Sequence, residues 1–465
     1  MNYFNEIKKY KNNIALITEK ENFSYNSLID YSNKFFKKIK ERSLVLIKCQ
    51  NSFETFIAYI TFVKLNCPII LVDGNLIDEN YIEIINAYKP DYIFQIKRNT
   101  KIELNYRLYN TFGFYDLLEN KKKIDIKIND DLSLLIPTSG SMGSPKFVRQ
   151  SYQNVFSNIE QVSESLNIKL KDRAITTMPL NYTYGLSIVN SHLYNGSSII
   201  LNSHSFIDKN FWNILKEKQA SNFGGVPFMY EMLDKVGFEE KITKSLKYIT
   251  QAGGKLSKNL LKKFTQICKN NNLKFFTMYG QTEATSRMSF LDWDFSETKV
   301  GSVGKPVKGG KFSLISDDGK IINNSNEIGE LVYEGKNVSM GYASSYLDLD
   351  KSDDNNGKLL TGDLAVKDDD DFYYITGRLK RISKIFGIRI NLDEVENLLK
   401  KWGFDCVCTG DDKILNFFLV NNFDNEKMID QISRNIGIHK SAIQLKKIKT
   451  IPRNKIGKIL YSELD

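Results

Sequence analysis

Short apolar runs alternate with helical patterns along the first two thirds of the chain, and this alternation limits the fold more than any other feature. The runs at 43–48, 68–72, 91–94, 174–178, 197–201, 246–250 and 273–278 have the length and composition of buried strands. Stretches with helical periodicity, such as 53–65 and 80–88, separate them. The alternation predicts an α/β fold with mostly parallel sheets that helices cover on both faces. In such folds, ligands bind at the carboxyl ends of the strands.

The pattern changes twice in the last third of the chain. Short runs at 311–316 and 329–334, punctuated by Asp318-Gly319 and Gly335, predict a small antiparallel β section. After Gly377-Arg378 the pattern predicts a small α+β unit, with helices near 391–402 and 425–436 and strands at 413–420 and 443–450. We therefore expect a large N-terminal domain over residues 1–379 and a small C-terminal domain over 380–465.

The composition is that of a globular chain. Of the 465 residues, 42% are apolar and 12% aromatic, enough for at least two domains with large cores. The five cysteines are odd in number and lie in apolar or mixed surroundings, which predicts reduced thiols and a cytoplasmic location. With three histidines and no CxxC or HxxxH spacing, neither a zinc site nor a histidine-based triad is expected. A bound metal should be a hard cation held by carboxylate, hydroxyl and phosphate oxygens.

Neither a targeting segment nor a membrane span is expected. The first residues lack the basic and apolar regions of a signal peptide. The most apolar stretch, 43–72, is interrupted by Lys48, Glu54 and Lys64, so it reads as strand, helix and strand. The net charge of +10 comes from scattered lysines, so nucleic-acid binding is not expected, whereas a basic face suits an acidic protein partner.

A loop rich in glycine and hydroxyl side chains follows the apolar run that ends at Pro137. The prediction concerns Thr138, Ser139, Gly140, Ser141, Gly143, Ser144 and Lys146. The glycines let backbone N–H groups point inward, the hydroxyls donate hydrogen bonds and the lysine adds positive charge, so the loop is suited to hold phosphates. It is not a Walker A loop, because Phe147 rather than Ser or Thr follows the lysine. An ordinary turn would also explain this loop alone, so the rest of the chain has to decide.

Six segments in a fixed order resemble those of the adenylate-forming enzymes, the family of acyl-CoA synthetases, firefly luciferase and the adenylation domains of peptide synthetases. The segments, with the family patterns, are Thr138 to Lys146 (TSGSTGxPK), Ala252 to Leu256 (the adenine-contacting GG segment), Tyr279 to Glu283 (YGxTE), Thr361 to Leu364 (TGD), Gly377 to Ile390 (the GRxD/K hinge, then GxRI) and Pro452 to Lys458 (PRxxxGK). The resemblance spans residues 130–465, and it is specific because order and spacing agree together.

The resemblance implies a role in nucleotide binding for most of these residues. It assigns ATP or AMP contacts to Thr138, Ser139, Gly140, Ser141, Gly143, Lys146, Gly253, Gly254, Lys255, Tyr279, Gly280, Gln281, Thr282, Asp363 and Arg378. Tyr279 would stack on adenine; alternatively, it is a tyrosine of the core at the end of a strand. Asp363 and Arg378 would hold the ribose hydroxyls, and Glu283 would bind Mg²⁺ with Thr138 nearby.

The resemblance also implies a catalytic lysine on a mobile C-terminal domain. Lys458 would place its ammonium on the carboxylate and the α-phosphate during adenylation. Lys380 occupies the hinge position, and rotation about it would replace Lys458 by the thiol channel near Gly387. Alternatively, the segment at Lys380 is a rigid turn between the domains, without rotation. Two residues depart from the family pattern: Met142 replaces threonine and removes one hydroxyl from the phosphate cradle, and Phe147 replaces glycine, so we expect weaker activity.

The segment Pro179 to Leu186 resembles the family's acid-binding segment PLxHxxGL. We expect an acid pocket formed by Tyr182, Thr183, Gly185, Gly225 and Val226. Thr183 stands where amino-acid activators carry an aspartate for the ammonium group, which disfavours an amino acid, because a buried unpaired ammonium costs several kcal/mol.

The resemblance thus implies that an ATP- and Mg²⁺-dependent ligase forms acyl-AMP and pyrophosphate. The ligase then transfers the acyl group to CoA or to the phosphopantetheine of a carrier protein. We expect such a carrier to be a separate acidic protein, since the chain is basic and no carrier segment follows Asp465. An amino-acid adenylating enzyme that loads a carrier protein and a nucleotide-binding pseudoenzyme remain alternatives.

Overall fold

A computed structural model of the protein describes residues 7–37, 39–97, 105–122, 124–138, 145–385, 388–411, 413–454 and 457–464. The chain divides into two compact units. The first comprises Met1–Lys311 with Glu334–Leu359, and the second comprises Phe312–Tyr333 with Leu360–Asp465.

The helices of the described residues carry conventional start signals. Ser52 accepts a hydrogen bond from the Thr55 N–H at the start of one helix, and Ser151 and Asn154 form a reciprocal capping box at another. In chain order the helices are α1 (Tyr25–Phe35), α2 (Phe53–Lys64), α3 (Asp78–Tyr88), α4 (Tyr152–Ser165), α5 (Thr183–Tyr194), α6 (Lys209–Glu217), α7 (Pro227–Lys235), α8 (Lys258–Asn270), α9 (Leu392–Lys401) and α10 (Asn425–Ile436).

The strands form three larger sheets and two smaller groups. They are β1 (Ile14–Ile17), β2 (Asn22–Ser24), β3 (Val45–Cys49), β4 (Ile69–Asp73), β5 (Tyr92–Ile96), β6 (Tyr106–Phe112), β7 (Tyr115–Asn120), β8 (Leu132–Pro137), β9 (Phe147–Ser151), β10 (Arg173–Ile175), β11 (Ser198–Ile200), β12 (Asn222–Gly225), β13 (Tyr248–Gln251), β14 (Lys274–Tyr279), β15 (Ser289–Leu291), β16 (Lys305–Pro306), β17 (Lys311–Ile315), β18 (Ile321–Ile322), β19 (Gly329–Glu334), β20 (Tyr342–Ala343), β21 (Lys358–Lys367), β22 (Tyr373–Arg378), β23 (Ile382–Ile385), β24 (Ile388–Asn391), β25 (Cys406–Gly410), β26 (Leu415–Leu419) and β27 (Ile443–Lys447).

The first unit contains two sheets with parallel centres. One has nine strands in the order β16-β15-β14-β13-β12-β10-β11-β1-β2, and the other has eight in the order β20-β9-β8-β4-β3-β5-β7-β6. The pairs β12/β13, β13/β14, β3/β4 and β4/β8 are all parallel. Their strands are apolar on both faces because helices cover parallel sheets from both sides. The structure therefore confirms the predicted helix-covered, mostly parallel fold.

The second unit contains the strands of the predicted antiparallel section and of the predicted small α+β unit. One sheet runs β18-β17-β19-β21-β22, and β25-β26-β27 form another that packs with α9 and α10 through a shared apolar core. The predicted domain boundary at residue 380 stays a prediction. No helix in the described part of the chain is long and apolar enough to cross a bilayer.

Candidate active site

Three neighbouring parallel strands bring the predicted adenine and acid segments together at the carboxyl ends of the strands. Strands β12, β13 and β14 are adjacent and parallel, so their carboxyl ends lie side by side. Gly225 ends β12, Gly253 and Gly254 follow β13, and Tyr279 ends β14. Because ligands of parallel α/β sheets bind at these strand ends, these residues are well placed to form one binding surface.

Glycine is required at two points near these strand ends. A side chain at Gly280 would collide with the Ser286 carbonyl, and one at Gly253, whose φ is 81°, would collide with the Tyr182 hydroxyl. Tyr182 thus reaches from the predicted acid segment to the predicted adenine segment. Burial raises the pKa of Tyr182 to about 12, so its hydroxyl is protonated at neutral pH and can donate a hydrogen bond.

The residues that continue from Gly280 form a short 3₁₀ turn, Thr282–Ala284, that carries Glu283. The hydroxyl of Tyr342 donates a hydrogen bond of 2.8 Å to Oε1 of Glu283. The Glu283 carbonyl accepts from the Ser339 N–H at 2.9 Å, so both ends of the residue are tied to the segment around β20. Gln281 and Glu283 are partly exposed, while Lys146 and Lys255 are exposed.

Tyr342 was not predicted from the sequence, yet it links two predicted residues. Its ring lies under the Lys146 ammonium, with 4.1 Å from Nζ to the ring centroid, while its hydroxyl bonds Glu283. Burial and the nearby Glu283 carboxylate raise the pKa of Tyr342 well above its usual value. The phenol therefore remains a donor over the whole working pH range.

The Glu283 carboxylate is a suitable ligand for a magnesium ion. Mg²⁺ usually keeps several waters and takes one or two carboxylates together with substrate phosphates. Glu283 offers a partly exposed carboxylate with one oxygen outside the Tyr342 hydrogen bond. Within the described ranges no cluster of three or more His, Cys, Asp or Glu side chains could hold a metal. A Mg²⁺ ion at Glu283 would therefore take its other ligands from hydroxyls, water and phosphate.

The centre of the predicted phosphate loop lies outside the described residues. Ser139, Gly140, Ser141, Met142, Gly143 and Ser144 belong to that gap, whereas Thr138 and Lys146 on either side are described. The Tyr88 hydroxyl holds the returning end, because it donates to the Pro145 carbonyl at 2.6 Å. The ends of the loop are thus set by β8 and β9, which pair antiparallel.

Phe147, a departure from the family pattern, is part of the core. Its side chain is 1% exposed and meets the Tyr88 ring edge to face at 5.4 Å between centroids. In β9 it pairs with Ala343 of β20, next to the pair formed by Val148 and Tyr342. The aromatic side chain thus packs into the core between the loop and β20.

Arg149, two residues further along β9, anchors the segment that carries Tyr342. Its guanidinium is fully buried and donates to the carbonyls of Met340 at 2.6 Å, Tyr342 at 3.1 Å and Lys351 at 2.6 Å. It also pairs with the Asp354 carboxylate at 2.7 Å. A buried guanidinium needs several acceptors, and here backbone carbonyls supply most of them.

In the second unit, the predicted ribose-binding pair is formed. Asp363 and Arg378 are directly opposite in the antiparallel pair β21/β22. The Asp363 carboxylate is buried, and its Oδ1 lies 2.8 Å from Nε of Arg378, whose side chain is 62% exposed. The buried carboxylate is thus oriented by an arginine that still reaches solvent.

Lys458 lies on a tight turn in the second unit. Gly457, with φ of 79°, precedes it, and the Asn454 side chain accepts from the Lys458 N–H at 2.9 Å. Lys380 lies in a 3₁₀ turn, Leu379–Arg381, directly after β22. Gly387, the predicted thiol-channel residue, lies outside the described residues.

The predicted acid segment begins helix α5. Thr183 is the first residue of α5, and Gly185 packs so closely on the Pro179 carbonyl that a side chain would collide. Val226 is buried directly after β12. Tyr184, a neighbour that the sequence did not single out, donates to the Thr250 carbonyl at 2.8 Å. A wider surface depression of about 350 Å³ near Lys274, Trp293 and Lys308 includes none of the predicted residues.

Comparison with known proteins places the chain among nucleotide-dependent enzymes. The profile of the family described as "AMP-binding enzyme" matches residues 3–343. A 2-succinylbenzoate–CoA ligase of Bacillus cytotoxicus is 30% identical over 294 residues, which cover 61% of this chain and 59% of that relative. The chain thus spans less than two thirds of that relative's length. The luciferin 4-monooxygenase of Photuris pensylvanica is 26% identical over 418 residues, which cover 82% of this chain and 75% of the relative.

Among solved structures, o-succinylbenzoate coenzyme A synthetase of Bacillus subtilis, in complex with ATP and magnesium ion, aligns with a TM-score of 0.78. The alignment covers 100% of this chain and 99% of that one at 21% identity. The likeness at this identity is one of fold.

Proposed function

The chain belongs to the AMP-binding enzyme family, and from this premise we propose that it is an ATP-dependent carboxylic acid ligase. The carboxylate of an acid attacks the α-phosphorus of ATP, which gives acyl-AMP and releases pyrophosphate. A thiol then attacks the acyl carbon, which gives a thioester and releases AMP. The family shows AMP-forming chemistry in general, while the acid and the thiol of this chain belong to the proposal.

The observation that carries the proposal is the continuity of one short segment. Tyr279 and Gly280 end a strand beside Gly253, and the chain then places Glu283 against Tyr342, whose ring contacts Lys146. The tyrosine proposed to contact the base and the carboxylate proposed to bind Mg²⁺ thus lie on one short segment, Tyr279 to Glu283. The Lys146 ammonium approaches this segment through Tyr342. This arrangement suits a nucleoside triphosphate, which is aromatic at one end and highly charged at the other.

Each group of residues has a separate task in the first unit. Gly253, Gly254 and Tyr279 bind the adenine, while Thr138, Lys146 and Thr282 donate to phosphate oxygens. Glu283 would hold Mg²⁺, and a bound ion there would supply positive charge that neutralises the phosphates and makes the α-phosphorus easier to attack. Tyr342 fixes the orientation of the Glu283 carboxylate before the ion binds.

In the second unit, Asp363 accepts hydrogen bonds from the ribose hydroxyls, because its buried carboxylate is held by Arg378. Lys458 stabilises the negative charge that develops in the first half-reaction. The tight turn at Gly457 fixes the backbone position of Lys458, while the flexible four-carbon stem of the lysine extends its ammonium toward the ligand.

CoA is the thiol acceptor that the comparisons support, because the Bacillus relative is named a CoA ligase. A separate acidic carrier protein with phosphopantetheine remains the second candidate, since the chain has a net charge of +10. All five cysteines are buried free thiols, which suits a reducing compartment such as the cytoplasm.

The direct test is an exchange assay between pyrophosphate and ATP over fatty, aromatic, hydroxy and amino acids, with and without Mg²⁺. We expect exchange that depends on an acid and on Mg²⁺, and that falls at least 100-fold in Glu283→Gln. Glu297→Gln is the matched control, because Glu297 is an exposed carboxylate of the same unit that pairs with Lys269 at 2.7 Å. Exchange with amino acids alone would favour the carrier-loading alternative, and ATP binding without exchange for any acid would favour the pseudoenzyme.

A further inference from the structure

A small cavity lies inside the first unit, between α4, α5 and the turn that follows Glu283. Its volume is about 10 Å³, which is about the space needed for one water molecule or one hydroxyl group. Its wall combines apolar side chains with polar ones, and the polar ones are Gln150, Asn158, Thr183, Ser187, Asn190, Thr285 and Ser286. Thr183 belongs to the predicted acid segment and Ser286 to the loop after Glu283, so the cavity lies beside the proposed acid site.

Gln150 has an unused acceptor in this wall. The residue is fully buried, and its Nε2 donates to the Thr282 carbonyl at 3.1 Å. Its Oε1 is buried with no hydrogen-bond partner in the described structure. Exchanging the amide atoms would turn oxygen toward the Thr282 carbonyl, so that bond fixes which atom faces the cavity. A buried acceptor without a donor is costly, and a donor is therefore expected to bind there.

The charge around the cavity restricts which donor can bind. Arg287 is 3% exposed, donates to Ser286 Oγ at 2.9 Å and stacks on the Tyr184 ring at 4.0 Å. Burial lowers the pKa of Arg287, the groups that oppose this are Tyr184 and Tyr182, and no acidic side chain is among the described residues that line the cavity. An ammonium group would meet this buried positive charge without a counter-ion, which disfavours amino acids.

A second carboxylate and a long alkyl chain fit poorly for different reasons. An ionised carboxylate only accepts hydrogen bonds, so it would leave Gln150 Oε1 without a donor. An alkyl chain would leave Gln150 Oε1 buried without a donor, and the cavity holds only about one heavy atom. A hydroxyl group is small and uncharged, donates to Gln150 and can accept from a serine or threonine in the same wall.

We propose that the acid activated by this chain is a short hydroxy acid whose hydroxyl group donates to Gln150 Oε1. This inference rests on the proposed function, because it assigns the substrate class of that same site. A site built around a hydrogen bond to a substrate hydroxyl rejects analogues without it far more strongly than an apolar pocket rejects a missing methylene.

The test compares acids of four carbons in pyrophosphate exchange: butanoate, its 2-, 3- and 4-hydroxy derivatives, 3-aminobutanoate and butanedioate, with decanoate as the long acid. We expect the best hydroxy isomer to exceed butanoate at least 10-fold in kcat/KM, and the amino, dicarboxylic and long acids to fall below it. A preference for any of those acids would overturn the inference while it supports the proposed function. No exchange with any acid would instead defeat the proposed function.

Substitution of Gln150 tests whether its side chain accepts the hydrogen bond from the substrate hydroxyl. Gln150→Met keeps the size but removes the acceptor, so the ratio of hydroxybutanoate to butanoate should fall to about 1. Gln161→Met is the matched control, because Gln161 is also buried but its Oε1 accepts from Asn158 and it does not line the cavity. The control should keep the wild-type ratio.

An unchanged ratio in Gln150→Met would mean that the cavity holds a structural water only, and the inference would fail. If Gln150→Met does not fold, Ser187→Val gives a second test, since its added methyl group fills the same cavity. That variant should also bring the ratio toward 1, and an unchanged ratio there would equally contradict the inference.

Discussion

Removal of the Tyr342 hydroxyl tests whether Glu283 is held ready for a metal ion. In Tyr342→Phe the carboxylate loses the 2.8 Å hydrogen bond, while an aromatic ring stays under Lys146. A hydrogen bond to a charged group usually contributes about 1.5–3 kcal/mol, and water competes here because Tyr342 is 40% exposed. We therefore expect a loss of about 1.4 kcal/mol, which corresponds to a tenfold higher Mg²⁺ concentration for half-maximal exchange.

The assay is pyrophosphate exchange at saturating ATP over a series of Mg²⁺ concentrations. Tyr342→Leu removes the ring as well, so it should also raise the KM for ATP through Lys146. Tyr346→Phe is the matched control, because it removes a tyrosine hydroxyl from the same segment while its ring stays near Lys89. An unchanged Mg²⁺ requirement in Tyr342→Phe, or an equal change in Tyr346→Phe, would refute the reasoning.

Three further outcomes are expected. Lys458→Ala should lower adenylate formation at least 100-fold but spare thioester formation from supplied acyl-AMP, and equal loss of both steps would contradict the alternation that the resemblance implies. Asp363→Asn should raise the KM for ATP about 10-fold more than it raises that for ATP lacking both ribose hydroxyls, because the carboxylate held by Arg378 is the proposed acceptor for those hydroxyls. Burial lowers the pKa of His192 to about 4, so between that value and its ordinary 6.5 the unfolded chain binds more protons and stability falls with falling pH. The drop in unfolding free energy from pH 7 to pH 5, measured with urea, should therefore be about 2 kcal/mol smaller in His192→Gln than in wild type, whereas equal drops would show that His192 does not titrate on unfolding.

The sequence predicted the regular elements of the sheets well because their signals are local. The expected strand at 273–278 is β14, Lys274–Tyr279, and the expected helix at 425–436 is α10, Asn425–Ile436. The hairpin Tyr106–Phe112 and Tyr115–Asn120 was not predicted, because its first strand mixes buried and exposed residues without a clear period of two. The expectation that Met142 and Phe147 weaken activity stays a prediction, and the core position of Phe147 against Tyr88 was not foreseen from the sequence.

The groups around the candidate site that the sequence missed are those defined by partners distant in sequence. Tyr342 meets Glu283 across 59 positions, and Gln150 meets Thr282 across 132. Nothing in the local sequence distinguishes such residues from surface tyrosines and glutamines. Asp363 and Arg378 were recognised only because of the motifs around them, and their contact became visible once the register of β21 and β22 was known.

The bonding of Arg149 has a consequence for how the protein is made. The guanidinium leaves the ribosome long before its acceptors do, since Met340 follows it by 191 positions and Lys351 by 202. During synthesis, strand β9 after the predicted phosphate loop is complete before these carbonyls exist. The Arg149 guanidinium therefore cannot yet form its native hydrogen bonds. A nascent chain that ends before Met340 can pair β9 with β8 but lacks every acceptor of the Arg149 guanidinium, and this set of contacts is complete only after residue 354 has been added.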